Sequence, residues 1–231
     1  MQRRLVRKRN LEIALSKVEA HPTPKAYLEQ YTIPANIAAE ILYIAAYVNN
    51  DIIGKKIADL GCGTGRLAIG AALLGAKEIV GVDIDKTAVK LAWKSAIRLG
   101  VKDKIQWLVT DIDALHGVFD TVLQNPPFGV QKRKADRKFL QKSSEIARRI
   151  YSLHKGKSSK ELANKPKKRG AQIIAVQPSA FLKSFIEKHG GKILAVYAMV
   201  MAIPYMFKFH KKPKHEFVAD LYVIDRKGNC K

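Results

Sequence analysis

From Lys56 onward short apolar runs alternate with helical ones, and this alternation constrains the fold more than any other feature of the chain. Residues 56–61, 78–83, 105–110 and 118–124 read as strands, and the segments 65–75 and 85–99 carry helical spacing. Strands separated by single helices run parallel, because a right-handed crossover returns the chain to the same end of the sheet. The expected architecture is a doubly wound α/β sheet. Ligands of such sheets sit beyond the carboxyl ends of the strands. Asp59 with Gly61, then Asp83, Asp111 and Asn125, all fall at those ends. Four polar positions at four successive strand ends predict a site.

The first strand feeds the turn Gly61-Cys62-Gly63-Thr64-Gly65, and a helical run opens at Arg66. Glycines let the backbone approach a ligand, and the helix N-terminus leaves N–H groups free to bind. Asp83 follows about 20 residues on, where an acidic side chain reaches ribose hydroxyls in such folds. The spacing is G-x-G-x-G and not the dinucleotide G-x-G-x-x-G. A nucleoside without phosphates fits better, which points to S-adenosyl-L-methionine and a class I methyltransferase.

Strand 118–124 runs into Asn125-Pro126-Pro127-Phe128. The Asn amide oxygen accepts a hydrogen bond. Successive prolines fix φ and lack N–H groups, so the Pro126 carbonyl is presented rigidly. Phe128 offers a flat face on which a base can stack. The four residues suit a clamp on a planar amine. They would also serve as an ordinary turn after a strand.

The chain has 231 residues, most simply one methyltransferase domain from 51 to 231 with N-terminal helices (1–50) packed on it. Lys and Arg number 42 against 20 Asp and Glu, a net charge of +22. That excess comes in clusters, which make a footprint for a polyanion such as nucleic acid. Two cysteines, Cys62 and Cys230, neither suggest a disulfide framework nor make a zinc site, and no metal is expected. The basic N-terminus lacks a signal-type apolar core, and the apolar stretch 193–207 is short and broken by Pro204. The chain reads as cytoplasmic, with no membrane partner.

Leu11, Leu15 and Val18 predict an amphipathic N-terminal helix, and Pro34 opens another that ends at Asn49-Asn50-Asp51. Beyond Gly129, helices are expected near 136–147 and 179–189 and long antiparallel strands at 192–201 and 216–225. Either 148–154 or 171–177 supplies the fifth strand, since periodicity does not choose between runs this short. A basic insertion covers about 156–178.

With these residues in view, the chain resembles the methyltransferase-like protein 5 family and its archaeal relatives, which methylate adenine in small-subunit ribosomal RNA. The resemblance spans about 22–225. It rests on Leu28-Glu29-Gln30-Tyr31, Asp59-Leu60-Gly61-Cys62-Gly63, Gly81-Val82-Asp83-Ile84-Asp85 and Asn125-Pro126-Pro127-Phe128-Gly129. Its family-specific parts are Tyr151-Ser152-Leu153-His154-Lys155 and Phe207-Lys208-Phe209-His210-Lys211-Lys212. It implies a mostly parallel, seven-stranded Rossmann-like sheet with an antiparallel last strand and with 148–154 as strand five. It also implies that Gln30 and Tyr31 close over the cofactor and that the backbone from Gly61 through Cys62, Gly63 and Thr64 to Arg66 holds its methionine part. Asp83 and Ile84 would meet the ribose, Asp111 and Ile112 the adenine edge. Asn125 and Pro126 would grip the target amine, with Phe128 stacked on the flipped base. Eukaryotic relatives use a small zinc-binding activator subunit.

Lys132, Arg133 and Lys134 follow the amine clamp, and Lys155, Lys208, His210, Lys211 and Lys212 lie in further basic clusters, all candidates for RNA contact. His154 reads as a packed, hydrogen-bonded histidine. Alternatives are a guanine-amine RNA methyltransferase, a protein glutamine methyltransferase, a nicotinamide dehydrogenase, or a non-enzymatic RNA-binding protein.

Overall fold

The computed structural model describes residues 6–128, 135–156, 173–204 and 214–226. Eight strands form one sheet: β1 (Lys56–Leu60), β2 (Glu78–Asp83), β3 (Ile105–Val109), β4 (Phe119–Gln124), β5 (Ala147–Lys155), β6 (Ile173–Ala175), β7 (Gly191–Pro204) and β8 (Lys214–Arg226). Their order is β3-β2-β1-β4-β5-β8-β7-β6. Strands β1 to β5 pair in parallel, and β8, β7 and β6 continue the sheet by antiparallel pairing. The helices are α1 (Lys8–Ser16), α2 (Ala35–Tyr43), α3 (Arg66–Leu73), α4 (Lys86–Arg98), α5 (Ala135–Ile146) and α6 (Ala180–Lys188).

Successive strand residues point to opposite faces, so each central strand feeds two cores. Ile57, Ile79, Leu123, Tyr151 and Leu153 join the core beneath α1, α2 and α3. Ala58, Val80, Val82, Val122 and Ile150 join the other, against α5 and α6. The N-terminal helices belong to the first core. Leu11, Leu15 and Val18 are buried there, each worth about 1.5–3 kcal/mol by area. Helix α2 runs on through one π-turn, Ile44–Val48, in which the Asn49 N–H donates to the Ile44 carbonyl at 3.1 Å. Asn50 then turns the chain at φ 55°, in the left-handed region that Asn tolerates.

The parallel core and the fifth strand at 147–155 match the expectation. The count of seven strands does not. Residues 173–175 are an eighth strand, paired with Tyr197–Met199 of β7. A β7 of 14 residues would leave a long open edge, and a three-residue strand partly covers it while being too short to template another chain. Most of the expected insertion, 157–172, lies outside the described residues.

Candidate active site

Parallel pairing brings the carboxyl ends of β1, β2 and β4 to one edge, with Leu60 beside both Val82 and Gln124. Beyond that edge is a cavity of about 460 Å³. Gln30, Tyr31, Asp59, Gly61, Cys62, Gly63, Thr64, Asp83, Ile84, Asp111, Ile112, Asn125 and Pro127 all line it. Pro126 and Phe128 do not. Phe128 is half-buried beside the cavity, its ring edge-on to Phe217 of β8 at 5.7 Å.

The Gly turn is held against β2. Asp83 accepts the Gly63 N–H through Oδ2 and the Asp85 N–H through Oδ1, both at 2.8 Å. Burial pushes the Asp83 carboxyl up, and these two hydrogen bonds work against it. Gly61 has φ 66°, and a Cβ there would come within 2.9 Å of the Phe139 ring. The absent side chain is therefore part of the cavity's shape. Cys62 is a buried thiol pushed well above its ordinary value by burial, which suits a compact filler and not a nucleophile.

Asp59 Oδ1 and Asn125 Oδ1, both of cavity-lining residues, are buried acceptors without a hydrogen-bond partner among the described residues. Asp59 Oδ2 accepts the Ala68 N–H at 2.9 Å. Burial, with nearby Asp83 adding to it, pushes the Asp59 carboxyl up to about 7 from an ordinary 3.8. The folded state thus keeps a proton that the unfolded chain has lost. Stability from this residue is full below the unfolded pKa, falls as pH rises, and levels off above about 7. Asp59→Asn should abolish that slope. In urea titrations wild type should lose up to about 4 kcal/mol relative to the variant between pH 4 and 7, at 1.36 kcal/mol per unit. Parallel stability curves would refute it.

Several cavity residues escaped the sequence reading. Lys138 of α5 bonds Asp111 Oδ1 at 2.7 Å and Asp113 Oδ2 at 3.0 Å, so the carboxylate expected at the adenine edge is already ion-paired. Phe139 beside it and Tyr27 also line the cavity, as does Arg66, where the stretch expected to hold the methionine part ends. Arg66 ties the N-terminal segment to α3, donating to the Val18 carbonyl at 2.9 Å and to the Ile33 carbonyl. Burial lowers its pKa to about 10. Nothing in the sequence marks Tyr27, Lys138 or Phe139, because which side chains face a cavity is set by how their elements dock.

His154 is buried, as expected of a packed histidine. Its Nε2 lies 2.8 Å from Ser152 Oγ, which accepts from Gln124 Nε2 at 2.9 Å, and its Nδ1 lies 3.7 Å from Asp136. Lys155 is exposed at the end of β5. Lys132, Arg133, Lys134, Lys208, His210, Lys211 and Lys212 lie outside the described residues. Among the described residues, no His/Cys/Asp/Glu group could hold a metal, and no helix is long and apolar enough to cross a membrane.

The cofactor half, residues 29–126, matches the family model of ribosomal protein L11 methyltransferase (PrmA). Longer matches extend past it. The chain is 32% identical to the rRNA N(6)-adenosine-methyltransferase Mettl5 of Drosophila melanogaster over 93% of its own length and 94% of that protein. It is 40% identical to the rRNA N(6)-adenosine-methyltransferase METTL5 of Danio rerio over 64% of its own length and 73% of that protein. The crystal structure of a candidate RNA methyltransferase from Pyrococcus horikoshii superposes with a TM-score of 0.80 at 36% identity, covering 96% of this chain and 99% of that one. With near-complete coverage of the Drosophila relative at 32% identity, the chain belongs to the methyltransferase-like protein 5 family.

Proposed function

We propose that this protein is an S-adenosyl-L-methionine-dependent methyltransferase acting on the exocyclic amine of an adenine in small-subunit ribosomal RNA. The observation that carries the reading is Asn125 Oδ1, a buried acceptor without a partner among the described residues, at the end of β4 and beside the edge where the other strand-end groups gather. Leaving such an acceptor unpaired costs about 1–3 kcal/mol, a cost repaid when an amine arrives.

The cavity fits the methyl donor. Asp83 keeps lone pairs for ribose hydroxyls, and the unpaired Asp59 Oδ1 suits the ammonium of the methionine part. Bound there, the donor would supply an electrophilic methyl group. The residues of the chain then have three tasks. Asn125 Oδ1 and the Pro126 carbonyl accept the two amine hydrogens, which localises a lone pair otherwise delocalised into the ring. Phe128, outside the donor cavity, provides a stacking face for a base extruded from its neighbours. The walls from Tyr31 to Phe139 exclude water from the transfer. No strong base is needed, since the amine becomes acidic only once methylated.

The +22 charge and the family's named members favour RNA over protein as substrate. The match to L11 methyltransferase stops at Pro126, within the amine clamp and before Phe128 and the strands beyond it. A small zinc-binding activator also fits. Edge strand β3 exposes Leu108 and Val109, and α4 beside it exposes Trp93 and Ile97, so a partner strand has a place to pair. A ribosomal substrate supports the cytoplasmic reading.

The test is incubation with labelled S-adenosyl-L-methionine and ribosomal subunits, followed by digestion of the RNA to nucleosides. Label is expected in N6-methyladenosine. Label in methylguanosine, or in protein alone, overturns the reading.

A further inference from the structure

Asp85 stands two residues past Asp83 and does not line the cavity. Its Oδ1 caps α4, accepting the N–H groups of Thr87 at 2.8 Å and Ala88 at 3.4 Å. Its Oδ2 faces elsewhere. Two donors from one N-terminal segment converge on that single oxygen, Gln30 Nε2 at 2.9 Å and Lys25 Nζ at 3.2 Å, and His21 Nε2 stands 3.5 Å away without a hydrogen bond. His21 Nδ1 accepts the Thr23 N–H at 3.1 Å, which puts the neutral ring's proton on the nitrogen facing Asp85. Gln30 is fixed at its other end too, its Oε1 accepting the Lys25 N–H at 2.7 Å.

The same segment forms one wall of the cavity through Tyr27, Gln30 and Tyr31. It is curled in a conformation the free chain would avoid. Glu29 sits at φ 50° and its carbonyl accepts the Tyr31 N–H only two residues on, at 2.8 Å. A non-glycine residue in the left-handed region persists where surroundings impose it. Arg66 holds the segment's two ends, at Val18 and Ile33. The middle is held by Asp85.

We infer that Asp85 is the anchor that keeps residues 21–33 closed over the cavity, and is thereby a positioning residue for the methyl donor. This rests on reading that cavity as the donor site. One carboxylate so joins α4, whose first turn follows the ribose-facing Asp83, to the wall that closes on the ligand. Burial alone would push the Asp85 carboxyl up. The Gln30 hydrogen bond, the Thr87 N–H, Lys25 and the Ala88 N–H hold it well below the usual carboxylate range, so the anchor is charged at neutral pH.

Asp85→Asn isolates the anchor, because Asn caps helices as well as Asp. The variant loses the charge that gathers Lys25, His21 and Gln30. Calorimetric titration should show S-adenosyl-L-methionine binding about tenfold weaker, the scale of one charged hydrogen bond. The KM for donor should rise with kcat at saturation unchanged, and the backbone amides of 21–33 should exchange faster in the ligand-free protein. Wild-type affinity together with wild-type protection of 21–33 overturns the inference. If wild type itself binds no donor, the donor reading fails, and exchange at 21–33 still decides the anchor. Should Asp85→Asn not fold, the pair Lys25→Ala and Gln30→Ala leaves the α4 cap intact, and unchanged exchange in that double variant is equally fatal.

Discussion

Asn125→Ala is expected to lower kcat for methyl transfer by about 10²–10³-fold, the usual effect of removing one preorganised hydrogen-bonding group at a reacting centre. Donor affinity should change little, because Asn125 touches only one end of a cavity lined by many other groups. Stability should hold or rise. The variant deletes a buried acceptor that has no partner in the resting protein, so folding loses nothing and sheds a desolvation cost of about 1–3 kcal/mol. Lost turnover without lost stability separates a functional residue from a turn residue. Asn125→Asp, which keeps an acceptor of the same shape, should retain more activity than Asn125→Ala. Wild-type turnover in Asn125→Ala would remove the residue from the mechanism.

Gly65→Ala should unfold the protein far more readily than its small size suggests. Gly65 precedes α3 at φ 82°, where a side chain costs about 1–2 kcal/mol. A Cβ there would also lie 2.5 Å from Trp107 and 2.8 Å from Ala92, a clash that adds about 1–3 kcal/mol. Together these lower the melting midpoint by roughly 5–20 °C for a chain this long. Gly100→Ala is the control, since it shares a positive φ of 70° but nothing lies within 4 Å of its Cβ. Equal melting of the two variants would show that Trp107 gives way freely and that crowding is not what reserves Gly65.

Much of the fold was legible because local patterns carry it. Strand β2 was read to the residue, and α4, α5 and α6 to within one or two at each end, since apolar spacing repeats within each element. The eighth strand was legible as a strand candidate, 171–177, but not its place. Only the open edge of a β7 built from distant sequence gives residues 173–175 a partner.

The site divides along the same line. The order of strand ends and the glycine spacing determined that Asp59, Asp83, Asp111 and Asn125 would share an edge, because parallel crossovers leave no other place for them. Which groups there stand unpaired was decided by tertiary structure. Asp111 meets Lys138 from a helix 27 residues away, while Asp59 and Asn125 each keep a buried oxygen with no partner among the described residues. Phe128 and Asn125, neighbours in one motif, part company: one lines the cavity and the other packs beside it on β8. Closure of the cavity is likewise a long-range matter, with Gln30 reaching Asp85 across 55 residues. Sequence sets the order of functional groups along the chain, but solvent exclusion and hydrogen-bond pairing depend on what packs against them, and that exists only once the chain has folded.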